Sequence, residues 1–248
     1  MRKYHYFTRG CSSFNGTPIG WAKGNYKCNK YAGMGKADPA DIDPRIIEFA
    51  DWAVEELYRQ CRPRFSFQRF SLENIPEVEN GLRFGSVLDV TSRSLTVNLR
   101  DCEHAMFFAA TLGAEADRLI SQYSRRDMSK GVLMEAAAAA VIEFYCDSCQ
   151  QELEKELNKE HITLRPRFSP GYGDFDIKHQ KDFVRLMDLP RTIGVTLTEG
   201  GMLSPTKSVT AVMGMSRFMK YPNREIERCT LHGCEVCRKK DCIYRRNV

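Results

Sequence analysis

The stretch Ala105-Met106-Phe107-Phe108-Ala109-Ala110-Thr111, followed by Leu112-Gly113, decides how the rest of the chain is read. It is a short apolar run with no polar alternation, the pattern of a strand buried on both faces. The glycine after it suits a turn into a helix over 114–123. Residues 129–158 carry the longest helical pattern. Leu133, Met134, Ala137, Val141, Tyr145, Cys149 and Leu153 recur there on one face of an alanine-rich run of high helix propensity. Alanine at these positions lets neighbouring elements approach closely.

Working outward, Asp43-Pro44 reads as an N-cap followed by proline at the first helical position. Ile46, Ile47, Ala50, Ala53, Val54, Leu57 and Cys61 follow at helical spacing, predicting an amphipathic helix over 44–61. Phe65 and Phe67, then Leu82, Phe84, Leu88 and Val90 after Gly81, alternate as strands do. A short helix over 177–188 is expected after Asp176, and strands over 193–198 and 208–215 flank a Gly/Pro loop. Helices and strands mix without a regular βαβ rhythm, and no internal repeat is visible. The expected class is α+β, with residues 37–216 as one domain. Residues 1–36 form a basic extension rich in glycine and aromatic residues, and 217–248 form a basic, cysteine-rich tail.

Composition narrows the function classes. A 248-residue chain with 42% hydrophobic and 28% charged residues is long enough to bury a core and is neither collagenous nor low-complexity. The most apolar run, Leu133–Tyr145, is interrupted by Glu135 and Glu143, and nothing approaches the ~18 apolar residues of a membrane span. No apolar segment follows the basic N-terminus, so a secretory signal is not expected and the cytoplasm is the default compartment. The net charge of +5 is unevenly spread, with +7 on residues 1–36, +5 on 217–248 and −7 between them. Basic ends on an acidic body point to an anionic partner or cofactor.

Ten cysteines, about 4% of the chain, are too few for a disulfide scaffold. Four of them, Cys229, Cys234, Cys237 and Cys242, fall in a Cys-x4-Cys-x2-Cys-x4-Cys array. Four close thiolates can complete a shell around zinc or an iron–sulfur cluster, and Arg238, Lys239 and Lys240 would offset its charge. Cys146 and Cys149 sit inside the long helical pattern and read as ordinary core or surface thiols. His104 and His161 read as structural.

The segment Arg165-Pro166-Arg167-Phe168-Ser169-Pro170-Gly171-Tyr172-Gly173-Asp174 is the least ordinary in the chain. Its prolines stiffen the backbone and its glycines permit unusual φ. An arginine on such a loop suits a carboxylate ligand, which it can grip with two parallel bonds. Arg167 through Tyr172 resembles the Arg-x-x-x-Gly-Tyr signature of the activation domain of cobalamin-dependent methionine synthase. Gly194-Val195-Thr196-Leu197-Thr198-Glu199, then Met202, Pro205 and Ser208-Val209, is similar to a second block of that family. Ala109-Ala110-Thr111-Leu112-Gly113 resembles an Ala-Thr-Leu-Gly element of its short stand-alone members. The three blocks span about residues 80–215 in the family's order.

The resemblance implies a C-shaped α+β fold around a twisted antiparallel sheet and a site for S-adenosylmethionine (AdoMet). In that scheme Arg167 holds the AdoMet carboxylate and the backbone of Ser169, Pro170 and Gly171 meets the adenine. Tyr172 lies between AdoMet and the corrin as the residue nearest the transfer, and Glu199 matches an acidic position near the site. The implied role is reductive reactivation of a corrinoid-dependent methyltransferase such as methionine synthase. Cobalamin is then carried by a corrinoid-binding methyltransferase subunit, and a flavodoxin or ferredoxin supplies the electron. No Gly-rich strand-to-helix turn is present, which disfavours an ordinary Rossmann methyltransferase. The competing reading is a zinc-tailed module whose basic, aromatic ends bind nucleic acid; the acidic middle of the chain and the three blocks weigh against it.

Overall fold

In the computed structural model, residues 43–217 are described; the expected extension at 1–36 and nearly all of the cysteine-rich tail lie outside them. The described chain runs α1 (Pro44–Gln60), β1 (Arg64–Asn74), β2 (Gly81–Phe84), β3 (Leu88–Thr91), α2 (Arg93–Asn98), β4 (His104–Thr111), α3 (Ala114–Arg126) and α4 (Met128–Asn158). It continues as β5 (Thr163–Leu164), a 3-10 turn at Ile177–His179, α5 (Gln180–Leu186), α6 (Leu189–Thr192), β6 (Thr196–Leu197), β7 (Leu203–Ser204) and β8 (Ser208–Ser216). Six strands form one antiparallel sheet in the order β3-β2-β1-β4-β8-β5, and β6 pairs with β7 as a separate hairpin. This is the α+β architecture expected from the sequence.

The apolar run is the buried strand it was read as, because both faces of the sheet are covered. Met106, Phe108 and Ala110 point to one core with Leu57 of α1, Leu119 of α3 and Met134, Val141 and Tyr145 of α4. Ala105, Phe107 and Ala109 point to a second core with Phe84, Leu95, Phe175 and Phe183. Phe107 stacks on Phe183 with ring centroids 4.4 Å apart. Each such large side chain, fully buried, contributes roughly 1.5–3 kcal/mol. The strand pairs with β1 through Phe67↔Phe108 and with β8 through Phe108↔Ala211, which centres it in the sheet.

α4, at 31 residues, is about 46 Å long, with buried residues from Gly131 to Leu153. Asp127 ends α3 and caps α4, its carboxylate accepting from Ser129 N at 3.0 Å. The two helices meet closely at Gly131, where a Cβ would stand 2.6 Å from Ser124 Cα. Among the described residues, no helix is long and apolar enough to cross a membrane.

Three elements depart from the sequence expectation. The strand expected over 193–198 shrinks to Thr196–Leu197, because the short helix α6 runs into Ile193 and the carbonyl of its first residue, Leu189, accepts from the amides of Ile193, Gly194 and Val195. The helix expected over 177–188 breaks into a 3-10 turn and α5. α2 was not anticipated. Its cap is assembled from two places, the Ser92 hydroxyl accepting from Leu95 N at 3.1 Å and a distant carboxylate, Asp174. Asp174 accepts from the Ser92 hydroxyl at 2.7 Å, Arg93 N at 2.7 Å and Ser94 N at 2.9 Å.

Two stability predictions follow from these contacts. Alanine normally gains ~1 kcal/mol over glycine inside a helix, but Gly131→Ala drives its Cβ into the Ser124 backbone and should lower the melting temperature. A higher melting temperature would contradict the close approach. The bonds from Ser92 and the amides of Ser94 and Arg93 hold the Asp174 carboxyl well below the usual range. A folded pKa below the unfolded value of about 3.9 gives a contribution complete above about pH 4 and lost as the pH falls further. Asp174→Asn should therefore lower the melting temperature at pH 7, and its deficit should shrink between about pH 4 and pH 2. A deficit that held or grew on acidification would contradict the capping role.

Candidate functional site

After β5 the chain runs beside β8 as far as Phe168, whose amide donates to Val212 O at 2.9 Å and whose carbonyl accepts from Val212 N at 2.8 Å. That pairing fixes which way the two arginines point. Arg165 is buried, and its Nη2 donates to Arg100 O at 2.7 Å, on the α2 side of the sheet. Arg167 turns to the opposite face. Its Nη1 donates to Gln150 Oε1 at 2.9 Å, and its Nη2 to Asp147 Oδ1 at 2.6 Å and Glu143 Oε2 at 3.5 Å, all on α4. The Arg167 side chain is 16% exposed. Burial pulls its pKa down, but the Asp147 bond and the nearby carboxylates outweigh this and hold it above the ordinary value. The guanidinium therefore lies against the long helix as a permanent cation.

Residues 169–175 form a tight turn closed on itself. Gly171 N donates to Phe175 O at 2.7 Å, Tyr172 N to Ser169 O at 3.1 Å and Phe175 N to Tyr172 O at 3.0 Å. Gly171 (φ +95°) and Gly173 (φ +56°) occupy backbone that other residues adopt only with strain. At Gly173 a Cβ would also stand 2.6 Å from the Ser94 hydroxyl, so the turn needs glycine there to seat on α2. With the Gly171 amide committed, the carbonyl oxygens of Pro170 and Gly171 take part in no hydrogen bond among the described residues, and neither do the Ser169 amide or the amides and carbonyls of Gly173 and Asp174. Pro170 is buried and Ser169 half-buried, whereas Tyr172 is 56% exposed. The Tyr172 ring meets Phe168 edge-on at 6.1 Å, and Phe168 stacks with Phe175, which stacks with His179. His179 Nδ1 lies 2.9 Å from Asp182. An aromatic column thus braces Tyr172 from beneath and leaves its outer face open.

Arg167, Ser169, Pro170, Gly171 and Tyr172 lie on one segment, the Arg167 side chain bonded to α4 and the turn at 169–175 bonded within itself. Glu199 is exposed in the turn between β6 and β7, where Thr198 N donates to Met202 O at 2.9 Å. Among the described residues, no hydrogen bond or ion pair joins it to the Arg167–Tyr172 segment. Cys229, Cys234, Cys237 and Cys242 lie outside the described residues. Among the residues that are described, no group of three or more His, Cys, Asp or Glu could hold a metal ion. Cys146 and Cys149 are core thiols, as read. Burial pushes Cys149 up to about 12 and Cys146 also upward, so both stay protonated at neutral pH. The residues missed from sequence are the partners of Arg167. Their signal was present, since Glu143 and Asp147 stand i,i+4 on an exposed helix face, a like-charge pair that is unfavourable without a cation.

Comparisons with known proteins bear on the family and the fold. A family model described as the activation domain of vitamin B12 dependent methionine synthase matches residues 96–225, just over half of the chain. Among solved structures, the crystal structure of the MetH reactivation domain bound to AdoHcy aligns with a TM-score of 0.57 at 16% identity, covering 77% of this chain and 74% of that chain. At that identity the likeness speaks for the fold. No curated protein matches. With the family match running from α2 through the Arg167–Tyr172 turn and β8, the chain belongs to the vitamin B12 dependent methionine synthase activation-domain family.

Proposed function

We propose that this chain binds AdoMet on the Arg167–Tyr172 turn and presents its methyl group to a reduced corrinoid held by a partner methyltransferase subunit, with methionine synthase as the client. Family membership supports the setting, and the solved MetH reactivation domain carries AdoHcy, the product of AdoMet methyl transfer. The observation that carries the reading is Arg167, a fixed cation beside a rigid turn with free backbone acceptors. The fit to AdoMet is chemical. The guanidinium fork has five N–H donors, so its contacts with α4 leave capacity for a ligand carboxylate. The open carbonyls of Pro170 and Gly171 can accept from the exocyclic amine of adenine. Tyr172, exposed and braced by Phe168, offers a flat face to a corrin.

The corrin supplies the cobalt nucleophile that takes the methyl group after one-electron reduction, and a flavodoxin or ferredoxin is the proposed donor. The chain's own residues contribute position. Arg167 and the turn anchor the two ends of AdoMet so that its methyl faces outward past Tyr172, which converts a bimolecular encounter into a held geometry. In this proposal residues 37–216 are the AdoMet-binding unit, acting in the cytoplasm.

Calorimetry should find AdoMet binding to the full chain. Arg167→Ala should weaken it about ten- to a hundredfold, the worth of a charge-assisted contact. Arg167→Lys keeps a charge for Asp147 but lacks the planar fork, so it should restore only part of the affinity and separate a lost grip from a lost fold. Unchanged binding by Arg167→Ala would overturn the site assignment. Tyr172→Phe should keep AdoMet affinity while slowing methylation of a reduced corrinoid; equal rates would show that the hydroxyl has no part in transfer.

A further inference from the structure

We infer that Glu143 and Asp147 set the charge preference of the site, favouring cationic AdoMet over its neutral product AdoHcy. This rests on the reading of Arg167 given above. Asp147 Oδ1 is 2.6 Å and Glu143 Oε2 3.5 Å from the same Arg167 nitrogen, and the third partner, Gln150, is neutral. One guanidinium therefore stands against two carboxylates, a local formal charge of −1. Neither acid has another ion-pair partner among the described residues, and the neighbouring Arg165 turns to the opposite face of the sheet. Among the described residues the excess negative charge is uncompensated.

A bare carboxylate ligand would raise that excess, so Arg167 in this setting suits a ligand that brings positive charge with its carboxylate. The amino-acid end of AdoMet carries a carboxylate, an ammonium and a sulfonium, a net +1. Methyl transfer turns the sulfonium into a thioether, and AdoHcy is left at net zero. The ammonium and carboxylate are common to both ligands, so the acids discriminate through the sulfonium alone. The same electrostatics that draw in the reactant weaken as the product forms, which favours exchange of AdoHcy for fresh AdoMet. The Asp147 and Glu143 side chains are 49% and 62% exposed, so water and salt screen the effect. The contribution is that of a partly exposed ion pair, about two- to fivefold in relative affinity.

The test is the ratio of AdoHcy to AdoMet dissociation constants, measured by calorimetry on the full chain and on Asp147→Asn, Glu143→Gln and the double variant. The parent should bind AdoMet about two- to fivefold more tightly, with a smaller margin at higher salt. Each neutral variant should move the ratio toward one, and the double variant furthest. Damage to the fold or to the set of Arg167 weakens both ligands together and leaves the ratio alone, so the ratio isolates the charge effect. Ratios unchanged by neutralisation, or a parent that binds AdoHcy at least as tightly, would overturn the inference while leaving the proposed function standing. A parent that binds neither ligand would overturn the proposed function and the inference with it.

Discussion

β4 is bonded along its length to β1 on one side and β8 on the other, and its side chains are buried on both faces. Apolar residues therefore occupy every position from Ala105 to Ala110, and two separate cores must be supplied from elsewhere in the chain. α1, α3 and α4 supply one core. The second comes from β2, α2, α5 and the segment that carries Phe175. The turn at 169–175 is thus held in place by the sheet: Phe168 bonds to β8, Phe175 fills the second core, and Asp174 caps α2.

This placement explains how the candidate site combines rigidity with exposure. Ion pairs at a surface are worth little individually, so Arg167 alone could not immobilise a loop. Here its backbone neighbours are already fixed by sheet bonding and aromatic stacking, and the ion pairs only choose where the guanidinium rests. Glu143, Asp147 and Gln150 stand on α4 and meet Arg167, which follows β5. The buried end of the site is charged and the open end, at Tyr172, is aromatic, the order needed if a small zwitterion is held beneath a flat cofactor.

Much of this was legible in the sequence where the signal is local. The unbroken apolar run at 105–111 named the central strand, and the apolar face from Met134 to Leu153 named the long helix. The stiff Arg167–Tyr172 segment stood out by its prolines and glycines. What was hidden depends on contacts distant in sequence. α2 is six residues long, and Asp174 accepts from two of its three capped amides. β5 has two residues and exists because β8 lies beside it. The apolar Ile193–Val195 looks like strand but packs as the end of a helical turn. The partners of Arg167 lie 17 to 24 residues upstream, where Glu143 and Asp147 mark an acidic helix face without showing which cation it meets.

The central claim is that this chain delivers a methyl group from AdoMet to a corrinoid partner. Its most direct test is a single-turnover experiment with methyl-labelled AdoMet and a corrinoid methyltransferase subunit under one-electron reduction, run with and without the full chain. The account predicts that label reaches the corrinoid rapidly only when the chain is present, with AdoHcy formed in equal amount. Transfer at the same rate without the chain would contradict it.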